Sequence, residues 1–223
     1  MVIINDNREL ADEFTQDIYN IEREIQYSLN NMQDNYSAYQ RVIKDDQWQA
    51  LLHKWSSLKA SWKDLDFISN LFAHNEIINE IINIIQKLAD SERVRLGKEN
   101  RQLLLHWPKM LEHLGILRAL GVYALSSQSS NTLMNISLTM SEHKTRAMQI
   151  LSHESSKANN QPLFHNTESV LRQIDDMLVN GDLNNSVKSF YNDMTLLIDD
   201  WFASLHQNLE STDLVQQHKI NHR

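Results

Sequence analysis

Glycine, proline and cysteine are nearly missing from this chain of 223 residues, which has four, two and none of them. Glycine and proline end helices and make turns, so their scarcity leaves long uninterrupted helices as the natural reading. The lack of cysteine excludes disulfides, thiolate metal sites and a cysteine nucleophile, and it fits the cytoplasm and the periplasm equally well. No lysine- or arginine-rich block occurs, and the net charge of −8 argues against a general nucleic-acid binder, which needs a basic stripe to displace counterions. No stretch approaches the roughly 20 apolar residues of a membrane span. The best candidate, Ile77 to Ile85, is broken by Asn79, Glu80 and Asn83. Only Val2, Ile3 and Ile4 are apolar between Met1 and Asn5, so no signal-peptide pattern is present. Those residues read equally as an ordinary N-terminus and as the stub of a membrane anchor, and the chain as given reads as soluble.

What the chain does have is helical periodicity. Apolar residues make up 41% and charged residues 22%, enough for a continuous core in one large domain or two small ones. Residues 7 to 44 read as one long helix carried by Leu10, Phe14, Ile18, Ile21, Ile25, Leu29 and Met32. In residues 46 to 65, Trp48, Trp55 and Trp62 recur every seventh residue, each followed three residues later by Leu51, Leu58 or Leu65. That is an a/d pattern and predicts a coiled-coil-like seam, in which large aromatics serve as core and not as a ligand stack. Further helices are predicted over 67–92, over about 100–126 with Pro108 kinking it or starting it afresh, and over about 132–157, 166–180 and 184–206. The last frays beyond Glu210. The expected fold is all-α: one module over 1–223, an elongated bundle with long first and last helices and shorter ones completing stacked four-helix bundles. A helix of about 38 residues runs close to 57 Å, which implies a rod.

Catalytic and cofactor motifs are lacking. There is no glycine-rich phosphate loop, no nucleophile elbow and no dinucleotide fingerprint. The acid pairs Asp45-Asp46, Asp175-Asp176 and Asp199-Asp200 are sequence neighbours and point different ways on a helix. Ten histidines invite a metal reading, but no glutamate has a histidine three residues later and no His-Glu-x-x-His occurs. His106 and His113, seven apart, share a face and read as surface or satisfied core histidines. The expectation is therefore a non-enzyme with no cofactor and no metal. Arg118 stands apart, flanked by Gly115 and Gly121 within one helix. Glycine inside a helix costs up to about 1 kcal/mol against alanine, and close approach of a neighbouring helix is one physical reason to accept it. A guanidinium buried there needs an acidic partner, such as Glu112 or a neighbouring aspartate, or an anionic ligand.

At these residues the sequence resembles a family. His74-Asn75-Glu76-Ile77-Ile78 through Ala89-Asp90-Ser91, then Trp107-Pro108, then Leu111 through Leu114-Gly115-Ile116-Leu117-Arg118-Ala119-Leu120-Gly121, is similar to the all-helical extracytoplasmic sensor region of bacterial methyl-accepting chemotaxis transducers and of related sensor kinases and diguanylate cyclases. A weaker likeness is to helical nitrate- and nitrite-sensing modules. The similarity is clearest over 74–125, with fainter echoes at Trp48 and Trp55 and at Phe190-Tyr191 to Ile198-Asp199. It implies a periplasmic ligand-sensing domain of an inner-membrane receptor whose membrane spans lie outside this chain. Its partners would be a small anionic ligand or a periplasmic binding protein, with Arg118, Asp90 and Ser91 as binding residues, and it would form a homodimer along the first helix. The competing readings are a helical scaffold or adaptor without a small ligand and a metal-carrying bundle.

Overall fold

A computed structural model describes residues 45–91, 97–154, 161–181, 183 and 186–220, together with 23, 24, 27, 28, 30 and 31. The expected first helix over 7–44 lies almost wholly outside the described residues, and so do the rod and the dimerisation face that rest on it. All regular structure among the described residues is helical, as the all-α reading requires. The helices are α1 (Asp45–Ser61), α2 (Phe67–Asp90), α3 (Lys98–Ser127), α4 (Ser130–Glu154), α5 (Gln161–Asn180) and α6 (Val187–Ile220). A single 3₁₀ turn, Trp62–Asp64, follows α1. The chain divides into two compact units, Met1–Ile77 and Ile78–Arg223.

In the first unit the heptad tryptophans behave as seam residues for two heptads and then stop. Trp48, Leu51, Trp55 and Leu58 are buried. Trp62 falls in the 3₁₀ turn, half-exposed, with the Lys63 ammonium 5.4 Å from its ring centre. The tighter turn takes Trp62 off the seven-residue register, because side chains three apart eclipse in a 3₁₀ helix and do not in an α-helix. Asp66 then starts α2. Its carboxylate accepts from the Ser69 backbone N–H at 2.9 Å and from the Ser69 hydroxyl at 2.6 Å, satisfying an orphan donor of the first turn. The same two bonds hold the Asp66 carboxyl below its usual range.

In the second unit α3 packs against α4 and α6, and α5 packs against the same two, closing a four-helix ring in which α3 and α5 are diagonal. Neighbours in the ring run antiparallel. His106 meets His153 while His113 meets His143 across α3–α4, and Trp107 meets Trp201 while Gly121 meets Phe190 across α3–α6. This is the up-down arrangement that short connections impose on sequential helices. The buried residues step by three and four along every helix: Trp107, Met110, Leu114 and Leu117 on α3; Leu133, Ile136, Met140, His143 and Ala147 on α4; Leu163, Thr167, Val170, Ile174 and Met177 on α5; Phe190, Met194, Leu197 and Trp201 on α6. Each fully buried large apolar side chain contributes about 1.5–3 kcal/mol by its removal from water.

One layer of this core carries a polar joint. Thr167, fully buried, donates its hydroxyl to the Leu163 carbonyl at 2.7 Å and accepts from the Trp201 indole N–H at 3.0 Å. Trp107 stands edge-on to Trp201 at 4.9 Å, and Phe164 is tilted against Trp201 at 5.9 Å. Edge-to-face packing suits the ring quadrupoles, and the buried indole needs the acceptor that Thr167 supplies.

α3 carries Pro108 inside it, one of the two outcomes the sequence allows, and stays a single helix from Lys98 to Ser127; the Gln86 side-chain amide donates to the Leu105 carbonyl at 3.1 Å one turn before the proline. Two helix boundaries differ from the sequence reading. α5 begins at Gln161 and not at 166. Pro162 sits in its first turn, where the missing N–H would have had no helical partner. α6 continues past Glu210 to Ile220, further than the expected fraying.

Candidate functional site

Arg118 lies two-thirds of the way along α3 and reaches α6. Its guanidinium donates to the Thr195 hydroxyl at 2.9 Å and stands over the Tyr191 ring at 5.3 Å. Tyr191 and Thr195 are four apart on one face of α6, so they meet the guanidinium together. The glycine reading holds on one side of Arg118 only. A methyl group on Gly121 would lie 2.4 Å from the Phe190 ring, whereas one on Gly115 would meet nothing within 4 Å. Gly121 is thus the gap that admits Phe190, and with it the segment of α6 that receives Arg118.

The acidic partner expected for Arg118 is replaced by neutral groups. Glu112 and the neighbouring aspartates do not pair with it, and among the described residues no carboxylate does. The cation is held by a hydroxyl and an aromatic face, half-buried, with donors of its fork left over. Sequence reasoning missed Tyr191 and Thr195, since helix pairing cannot be read from periodicity. Phe190-Tyr191 was visible only as an echo of the family.

Asp90 and Ser91 are not gathered with Arg118. They close α2, Asp90 exposed and Ser91 donating its backbone N–H to the Leu88 carbonyl at 3.2 Å. Gln86, a turn earlier, is fixed at Leu105, and Arg118 lies about 20 Å further along α3 at 1.5 Å per residue.

Two other polar places occur in the ring. Between α5 and α6 an open groove of about 400 Å³ is lined by Asn166, Ser169 and Gln173 on one side and by Asp193 and Asp200 on the other, with Val170 and Leu197 among its apolar lining. Asp193 and Asp200 are two helical turns apart on α6 and line the same side of this groove. Across α3 and α4, the Nδ1 atoms of His113 and His143 lie 3.1 Å apart, both rings buried. Burial pushes His113 down to about 4, with His143, Arg146 and Lys109 adding repulsion. Burial and Arg146 also push His143 down, against the opposing pull of Glu142. His106 and His113 do share a face, and it is the face turned to α4.

Among the described residues no group of three histidine or acidic side chains converges as a metal site, and no helix is long and apolar enough to cross a membrane. No protein family, characterised protein or solved structure matches the chain. The likeness to chemotaxis sensor regions therefore rests on the sequence motifs themselves, clearest over residues 74–125, and on no matched relative.

Proposed function

We propose that this chain is a ligand-sensing helical module of a membrane-anchored bacterial signal transducer, working on the periplasmic side and responding to a small anion. The observation that carries this reading is the setting of Arg118. It is a half-buried guanidinium held between α3 and the last helix by neutral groups, with its charge uncompensated by any described carboxylate. A planar fork with free donors suits a carboxylate or nitrate, which would take it bidentately. An anion drawn to Arg118 would compete with Thr195 and Tyr191 and so shift α3 against α6. Packed helices move in discrete small steps, and such a step of the last helix is what a transducer needs to pass on. In the parent receptor the module would work as a homodimer, with a periplasmic binding protein as the other form its stimulus takes.

Thermal-shift measurements with a panel of small anions test it. At least one should raise the melting temperature of the wild type, less that of Arg118→Lys, and leave Arg118→Ala unmoved. If no anion stabilises the wild type, the sensing reading fails.

A second reading, a helical adaptor without a small ligand, is favoured by different residues. Met134 is 70% and Leu138 80% exposed, one turn apart on α4. Two exposed apolar side chains a turn apart would supply part of a surface that meets another protein. Under this reading the anion panel gives no shift, and Leu138→Lys leaves stability unchanged while abolishing capture of a partner.

A further inference from the structure

Among the buried side chains of the α3–α4 seam, His113 and His143 are polar and face each other. Their exposures are 7% and 9%, their ring centres are 5.1 Å apart, and their Nδ1 atoms are at hydrogen-bond distance, 3.1 Å. Two neutral imidazoles satisfy this contact in only one way. One ring carries its proton on Nδ1 and donates; the other carries its proton on Nε2 and accepts through the Nδ1 lone pair. The pair must therefore hold opposite tautomers.

We propose that His113 and His143 form an acid-sensitive latch, which holds α3 against α4 while the rings share one hydrogen bond and lets the two helices part when both are protonated. The argument is one of donors and acceptors. A first proton can enter at Nε2 of the donor ring and leave the Nδ1–H bond in place, at the cost of a charge in a dry seam. A second proton must occupy the accepting Nδ1. Both rings are then donors, the bond is lost, and two cations face each other across about 3 Å of low-dielectric interior.

The surrounding charges sharpen the response. Lys109 from α3 and Arg146 from α4 oppose protonation, and Glu142 from α4 favours it on His143. Among the described residues no charge from α5 or α6 bears on the pair. The nearest α4–α5 ion pair, Lys144 with Asp175, is formed one residue beyond His143 and is already satisfied. The latch does not depend on the anion-sensing reading.

The sign follows from linkage. In the unfolded chain both rings take up protons near their ordinary value, whereas the closed seam resists, so acid favours the open state as pH falls below about 6.5. Between pH 7 and pH 5.5 the unfolding constant should rise about eightfold if one proton is excluded and about seventyfold if both are. Urea unfolding of the full chain, followed by the fluorescence of its tryptophans, measures this. The double variant His113→Gln, His143→Gln, which has amide donors and acceptors and no titration, should lose that dependence. An equal pH dependence in both proteins overturns the latch. Should the double variant not fold, ¹⁵N imidazole spectra of the wild type decide. Opposite neutral tautomers for these two rings at pH 6 support the latch, and two rings titrating together near 6.5 overturn it.

Discussion

Gly121 and Gly115 stand on the same helix three residues either side of Arg118, and they exist for different reasons. At Gly121 an added methyl group would lie within 2.5 Å of two Phe190 ring atoms. The ring is fully buried and cannot simply swing aside. Overpacking of this kind costs about 1–3 kcal/mol, against a gain of up to about 1 kcal/mol from alanine's better helix propensity. Gly121→Ala should therefore be net destabilising, with a lower urea midpoint. At Gly115 nothing opposes the methyl group, so Gly115→Ala should be stabilising by up to about 1 kcal/mol. Two glycine-to-alanine changes of opposite sign, read by denaturant titration, would check the packing of α6 on α3; a stabilising Gly121→Ala would contradict it. Thr167 makes a second test at this scale. Valine keeps the volume but removes the acceptor for the Trp201 indole N–H, and a buried donor left unmet costs about 1–3 kcal/mol. Thr167→Val should lower stability by that amount, whereas Thr167→Ser, which keeps the hydroxyl, should lose less. Equal losses would mean that the hydrogen bond contributes nothing.

The ends of the helices show local chemistry at work. Gln128 leaves α3 in the left-handed region at φ 46°, where a side chain pushes against its own backbone. Its N–H still closes the helix by donating to the Ala124 carbonyl at 3.1 Å. α5 ends at Asn180, the expected bound, and Gly181 follows it at φ 61°. The two caps should respond oppositely. Gln128→Gly relieves a strained residue and should be neutral to mildly stabilising, while Gly181→Ala places a Cβ in the left-handed region and should cost about 1–2 kcal/mol. Thermal melts of the two variants check this, and a tolerated Gly181→Ala would show that the turn rearranges freely. Helix positions were legible because three- and four-residue steps dominate every block; the helices over 67–90, 98–127 and 130–154 sit within a few residues of their expected bounds. What periodicity could not supply was the partner of each face. Arg118 stands out in the sequence by its flanking glycines, yet Thr195 and Tyr191 lie some seventy positions away, and only the register of α3 on α6 brings them in. His143 was missed for the same reason, since nothing in its own neighbourhood sets it opposite His113.

At the scale of the whole molecule the second unit carries its own core. Every pair of ring neighbours, α3 with α4, α4 with α5, α5 with α6 and α6 with α3, is packed within Ile78–Arg223. The largest fully buried side chains there include Trp107, Trp201, Phe190, Met110, Leu117 and Met140, and they come from three helices of the one ring. Its polar fixings are internal as well. Thr167 with Trp201, Lys144 with Asp175, His113 with His143 and Arg118 with Thr195 each bridge one of the four seams or a corner between them. A ring closed on all four sides has no face that must be completed from outside to bury its core. A fragment comprising residues 78–223 should therefore fold by itself. Its far-UV circular dichroism should be strongly helical, and its urea unfolding should be a single sigmoidal transition, as expected for a cooperative domain under about 150 residues. The Trp107 and Trp201 emission should be blue-shifted in the native fragment and move red in the same transition. Helical signal without that coincidence would mean that helices form but the aromatic layer does not pack, and the ring would then need the remaining chain to become a native core.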